Sequence, residues 1–182
     1  MGSKYHSPIW GLHAIQGTVR FFYNGNTSLT NCRFTAQVKN TTANQQRHMM
    51  YFFLRCSSKE PLVDAYLLGL RVNNFVANSW CCQLYRYKSG TETALTGLYN
   101  VVTGAGTLTD WQQFRVSVVT ESGNPVVRAD WFNGSSWQMF FQFIDSNVNK
   151  VTTPGYMGFG FREQYDGNFY IDDVNLTQLT WV

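Results

Sequence analysis

The chain reads as an all-β, two-sheet antiparallel sandwich, and three observations carry that reading. Apolar and polar residues alternate with a period of two over many short runs. Glycine- and asparagine-rich turns punctuate those runs at regular spacing. No segment sustains a 3.6-residue apolar period between helix caps. Composition agrees: of 182 residues, 16% are aromatic and only 14% charged, with 44% hydrophobic overall. Aromatic and β-branched side chains fit a pleated surface, and so few charges exclude a disordered chain.

Taken in order, strands are expected at Thr18–Tyr23, Cys32–Lys39, His48–Cys56, Asp64–Val72, Trp80–Tyr87, Gln112–Thr120, Val126–Phe132, Gln138–Ile144, Tyr156–Phe161 and Phe169–Leu176. Turns fall at Asn24-Gly25-Asn26, Lys88-Ser89-Gly90, Glu121-Ser122-Gly123-Asn124, Asn133-Gly134 and Asp166-Gly167-Asn168. In Phe114-Arg115-Val116-Ser117-Val118 the even positions are apolar and face the core. The stretch from Met1 to Gly17 stands apart. It carries Tyr5, Ile9, Trp10 and Leu12 ahead of the first expected strand. The domain is therefore expected over residues 18–182, with residues 1–17 as a docking segment.

Several function classes are excluded. The net charge is +3 and the basic residues are scattered singly, so no nucleic-acid partner is expected. No apolar run reaches membrane-spanning length. Lys4, His6, Pro8 and His13 interrupt the first sixteen positions, so no signal peptide is expected and synthesis in a cytoplasm is. No Ser nucleophile elbow, phosphate loop or dinucleotide fingerprint occurs. The four cysteines form no CxxC pair, which argues against zinc. They are expected as reduced, mostly buried thiols, with a Cys32–Cys56 bridge left open and Cys81 and Cys82 on opposite faces of one strand. His6, His13 and His48 lack further ligands close by in sequence, and no cofactor is expected.

Four pieces in the second half have a family's order and spacing. Asp110-Trp111 with Phe114-Arg115-Val116-Ser117-Val118, then Val126 to Asn133, then Ile144-Asp145 with Gly155-Tyr156-Met157-Gly158-Phe159-Gly160, then Phe169-Tyr170-Ile171-Asp172-Asp173-Val174 resemble the strands of concanavalin A-like lectin and glucanase domains, including laminin-G-like members. The resemblance covers residues 110–177 closely and the earlier strands loosely. It implies a jelly roll in which Gly155, Gly158 and Gly160 permit close approach. One of Asp172 and Asp173, on alternate faces, is expected to be buried and hydrogen-bonded, ahead of a role as ligand to a structural calcium.

Glycoside hydrolases resembling this family place paired carboxylates two or three residues apart on an inner strand. Here the acidic residues are isolated, and Glu163 and Asp166 read as loop residues. The chain is expected not to be an enzyme. The resemblance implies instead a structural or adhesion module of a larger assembly: a virion decoration, head-fibre or tail-associated protein that docks on assembly proteins through Tyr5, Ile9, Trp10 and Leu12. Surface glycans would stack on Trp80, Tyr85, Trp137 and Tyr165, aided by Arg162. The alternatives are a stand-alone lectin, or a polysaccharide lyase or glycoside hydrolase.

Overall fold

The computed structural model describes residues 10–15, 18–23, 28–40, 49–73, 79–102, 110–162 and 169–180. No helix occurs among them. They form two antiparallel sheets. The large, eight-stranded sheet runs β1 (Trp10–Ile15), β2 (Thr18–Tyr23), β12 (Tyr156–Arg162), β4 (Met49–Cys56), β5 (Ala65–Asn73), β6 (Ser79–Lys88) and β7 (Thr91–Ala94), with β8 (Tyr99–Val102) also paired to β6. The five-stranded sheet runs β11 (Trp137–Ile144), β10 (Asn124–Phe132), β9 (Gln112–Glu121), β3 (Cys32–Asn40) and β13 (Phe169–Gln178).

The sheets pack through the alternating residues that the sequence marks as apolar. Phe34, Ala36 and Val38 of β3 and Phe114, Val116 and Val118 of β9 face Met50, Phe52 and Leu54 of β4 and Leu68 and Leu70 of β5. This is the jelly-roll core of a concanavalin A-like sandwich. Cys82 points into it while Cys81 lies on the other face, opposite Arg71. All four cysteines are buried free thiols, so Cys32 and Cys56 form no bridge.

Two hairpin turns have left-handed pairs at Ser89 (φ 51) with Gly90 (φ 79) and Ser122 (φ 49) with Gly123 (φ 76). That is the twist-matched type I′ geometry. Gly155 and Gly158 serve approach within the large sheet: a Cβ would lie 2.4 Å from the Cys56 carbonyl oxygen at Gly155 and 2.5 Å from that of Phe21 at Gly158.

Three expectations are corrected. Trp10–Ile15 is not outside the domain; it is the edge strand of the large sheet, paired to β2. β7 and β8, absent from the sequence reading, extend the opposite side. Asp172 and Asp173 are both exposed. A bulge between Asp172 and Asn175, with Asp173 at φ 50, breaks the alternation that would have turned one inward. Asp173 instead accepts from Gln37 Nε2 at 2.8 Å, and Asp172 accepts from the Asp173 amide.

Candidate functional site

Directly opposed residues in antiparallel strands share a face, so register alone builds a surface from the sequence. One row crosses six strands of the large sheet: His13, Arg20, Gly160, Tyr51, Gly69 and Gln83. Their neighbours in sequence, Phe21, Met50, Phe52, Phe159, Cys82 and Leu84, face the core, so the row from Arg20 to Gln83 faces away from it. The two glycines contribute no side chain. The row is therefore low on each side of Tyr51 and raised at Arg20, Tyr51 and Gln83.

The next row, Phe22, Gly158, Phe53, Leu67 and Tyr85, supplies an aromatic floor. Phe22 stands 5.5 Å from Phe53, and Tyr51 stands 6.2 Å from Phe53 and 6.3 Å from Tyr85, ring centre to ring centre. Leu62 and Ala65 join this cluster, with Tyr85, Tyr87 and Tyr156 half-buried against it. Beyond Tyr87 stands Glu92 of β7, which accepts from the Tyr87 hydroxyl. Burial first, and Glu92 second, push the Tyr87 phenol up to about 12.

Polar groups on this face are held in fixed orientations. The Tyr85 hydroxyl donates to Gln83 Oε1 at 2.7 Å, and Gln83 Nε2 donates to the Thr96 carbonyl at 3.0 Å. The Arg20 guanidinium lies 5.6 Å over the Phe53 ring. The Lys59 ammonium lies 5.0 Å over Tyr156. Flat rings beneath a polar rim suit a ligand with one apolar face and hydroxyls around its edge.

Acidic side chains are engaged elsewhere. Asp64 pairs with Lys88, Asp130 with Arg115 and Glu121 with Arg128. Asp145 is enclosed by Arg86 and Tyr66 between the sheets. Among the described residues no group of three His, Cys, Asp or Glu side chains is placed to hold a metal ion.

The expected sugar-stacking residues are split by the fold. Tyr85 lies on the outer face of the large sheet, and Arg162 occupies the adjoining row opposite Thr18 and Met49. Trp80 must be withdrawn: it is fully buried and meets Phe114 edge-on at 5.3 Å in the core. Trp137 sits on the other side of the molecule, on the outer face of the small sheet. There the Arg115 guanidinium covers its ring at 4.6 Å and Phe132 tilts against it at 5.3 Å. Tyr165, Tyr5, Ile9 and His48 lie outside the described residues. Trp10 and Leu12 stand opposite Tyr23 and Phe21 within β1, so they belong to a strand of the sandwich rather than a separate docking segment.

Arg20, Tyr51, Gln83 and Tyr87 are absent from the sequence reading. Their one mark is that β4, Met-Met-Tyr-Phe-Phe-Leu, is apolar on both faces, as a strand with a covered outer face must be.

No protein-family model matches the chain, and no curated protein matches it in sequence. Solved structures do. The exoplasmic/lumenal domain of VIP36, in a form described as Ca2+/Man3GlcNAc-bound, superposes with a TM-score of 0.59 at 11% identity, covering 98% of this chain and 87% of that one. Its metal-free form gives 0.57 at 12% identity, covering 99% and 89%. The CBM2 module of the evolved Dit of Lactobacillus casei BL23 phage J-1 gives 0.51 at 11% identity, covering 91% and 71%. At these identities the likeness is one of architecture: with the two-sheet topology it shows that the chain has a concanavalin A-like jelly-roll fold.

Proposed function

We propose that the protein is a non-enzymatic glycan-binding module of a larger assembly, a virion decoration, head-fibre or tail-associated part, and that it binds sugar on the outer face of its large sheet. The observation that carries this is the row of Arg20, Tyr51 and Gln83, separated by Gly160 and Gly69 and backed by the rings of Phe53, Tyr85 and Tyr87. Rings supply stacking area at small entropic cost, and pre-oriented amide and guanidinium groups give direction to hydroxyl recognition. The placement in a virion is supported by the shared architecture with the CBM2 module of a phage Dit. Residues 1–9, which precede β1 and include Tyr5 and Ile9, are the segment for docking on assembly proteins.

A glycan array tests the reading. The parent protein should give hits, and Tyr85→Ala combined with Gln83→Ala should weaken them about tenfold or more with the fold retained. Absence of hits, or loss of binding on Trp137→Ala instead, would overturn it. Removal of residues 1–9 should leave the sugar hits intact and abolish assembly. Intact assembly would favour a stand-alone lectin.

A polysaccharide lyase is the second reading, and the alignment of His13, Arg20, Tyr51 and Gln83 in one cross-strand row is the observation that favours it. Production of new chain ends from any polysaccharide hit would establish it over a binding role.

A further inference from the structure

We infer that two copies of this chain pack back to back through the outer face of the small sheet, in a two-fold dimer that joins Arg33 of each copy to Asp172 and Asp173 of the other. The inference is independent of the glycan reading and concerns the opposite side of the molecule. Register sets the face. Arg33 and Thr35 of β3 stand opposite Ser117 and Arg115 of β9, which stand opposite Arg128 and Asp130 of β10. Phe34, Ala36, Val116 and Ala129, which alternate with them, lie in the core, so these residues face outward. Asp172 of β13 stands opposite Gln37 on the same side. Asp173 reaches that side too, where it accepts from Gln37 Nε2.

Charge on this face is balanced in sum but not paired within the chain. Two ion pairs close locally, Arg115 with Asp130 and Arg128 with Glu121. The other charged residues on these strands are two cations, Arg33 and Lys39, and two acids, Asp172 and Asp173. Among the described residues none of these four joins an ion pair. Arg33 Nε is buried without a hydrogen-bond partner, and burial, then Arg115, draw its guanidinium below the ordinary range. Asp172 and Asp173 are exposed. Arg33 and Asp172 are one strand and four residues apart, about 14 Å, too far to meet within one chain. A second copy supplies both missing partners and brings no net charge. A wholly acidic or wholly basic partner would satisfy one sign and repel the other.

Symmetry fits the apolar residues as well. Take a lattice of about 4.8 Å between strands and about 3.4 Å per residue. An axis lying in the face and passing between Thr35 and Asn175, direct partners on β3 and β13, exchanges the Arg33 and Asp172 positions of two copies. Continued across the sheet to β11, that axis passes within about 2 Å of Trp137, so each Trp137 meets its own copy. Trp137 carries the Arg115 guanidinium over its ring and Phe132 beside it, and Met139, two residues on, is 59% exposed. Tryptophan, methionine and arginine are the side chains that protein interfaces favour. The face measures about 20 by 25 Å, so a dimer buries on the order of 1,000 Å² over both copies, the low end for a specific contact. Its dissociation constant is therefore expected in the micromolar range. Packed this way, the outer faces of the two large sheets point in opposite directions.

Sedimentation velocity of the whole chain over a concentration series tests this. The parent should pass from monomer to dimer, and added salt should shift it toward monomer. Arg33→Glu should raise the dissociation constant about tenfold or more, and so should Asp172→Lys combined with Asp173→Asn, since each sets like charges against each other. Asparagine tolerates the left-handed backbone at position 173. An equimolar mixture of the two variants should dimerise like the parent, because every cross-copy contact is again between opposite charges. Trp137→Ala should weaken association without a change in charge. If Arg33→Glu does not fold, Arg33→Gln replaces it, and the exposed β13 variant and the salt response complete the test. A parent that stays monomeric to about 0.5 mM would overturn the inference. So would a dimer that none of these variants weakens, or a mixture that fails to recover.

Discussion

Asp145 shows how much a single buried side chain decides in this molecule. Its carboxylate, at the end of β11 in the small sheet, accepts from Arg86 Nη1 at 2.9 and 3.1 Å and from the Tyr66 hydroxyl at 2.6 Å. Tyr66 and Arg86 are direct partners across β5 and β6 of the large sheet, so this one acid ties the two sheets together. Tyr66 in turn accepts from the Val151 amide at 3.0 Å. Burial, and then the bond to Asp145, hold the Tyr66 phenol well above its ordinary range, so it stays a donor. Asp145→Ala would leave the Arg86 cation enclosed without its anion and should cost about 3–5 kcal/mol in denaturant unfolding. Adding Arg86→Met to that variant should restore part of the loss, since it removes the orphaned charge. A single variant within about 1 kcal/mol of the parent would show that water reaches Arg86. The sequence marks Asp145 as part of a family-like segment, but it cannot show that the charge partner lies 59 positions away.

At the scale of the elements, legibility follows burial. Strands with one face in the core, such as β3 with its strict alternation of buried and half-buried positions, are readable because the apolar pattern is the strand period. β7 is unreadable for the opposite reason: Thr91 to Ala94 are all exposed, so backbone pairing with β6 holds the strand and no side-chain pattern records it. The site was half legible. Tyr85 and Arg162 could be named as candidates, but the row they adjoin is assembled from six strands by register, and register is a long-range property. Trp80 was misread because a Trp beside polar residues looks the same in sequence whether it faces the core or the solvent. The glycines of β12 make the element-scale prediction. At Gly158 even a methyl group would press on the Phe21 carbonyl and the Phe22 ring, in backbone pairing that cannot yield locally. Gly158→Ala should cost about 1–3 kcal/mol by thermal or denaturant unfolding. Gly97→Ala, where nothing lies within 4 Å of the new Cβ, should stay within about 0.5 kcal/mol. Equal effects would mean that the large sheet is looser between β2 and β12 than its register implies.

The whole molecule is a sandwich whose apolar core is pinned at internal polar cross-links and lined with thiols. Besides the Asp145 network, Arg55 is fully buried at the end of β4. It donates to the carbonyls of Thr30 and Val151 at 2.9 and 3.2 Å and to Thr120 Oγ1 at 2.6 Å, joining β9 and two connecting segments to the large sheet. With charge held this way and no disulfide to cross-link the chain, the response to alkali follows from the thiols. Burial is the leading cause that raises all four, with Cys32 and Cys82 pushed up to about 12 and Cys56 higher still. An unfolded cysteine ionises near about 8.5. Below that pH both states keep their protons and the thiols add no pH dependence. Above it the unfolded chain releases protons that the folded chain retains, so stability falls as pH rises from about 8.5 toward 12. One unit above the unfolded value, each fully enclosed thiol removes about 1.4 kcal/mol. The buried phenol of Tyr66 and the half-buried phenol of Tyr87 steepen the fall from about pH 10. Urea midpoints measured from pH 7 to pH 10 under reducing conditions should therefore be level to about pH 8 and then drop. Cys82→Ala should have a lower midpoint at pH 7 but a shallower drop. A thiol reagent at pH 8 should label the native protein slowly and the unfolded protein at all four sites. Midpoints that stay level to pH 10, or rapid native labelling of Cys32 or Cys82, would mean that water enters the core between the sheets and that these thiols are not sealed by packing.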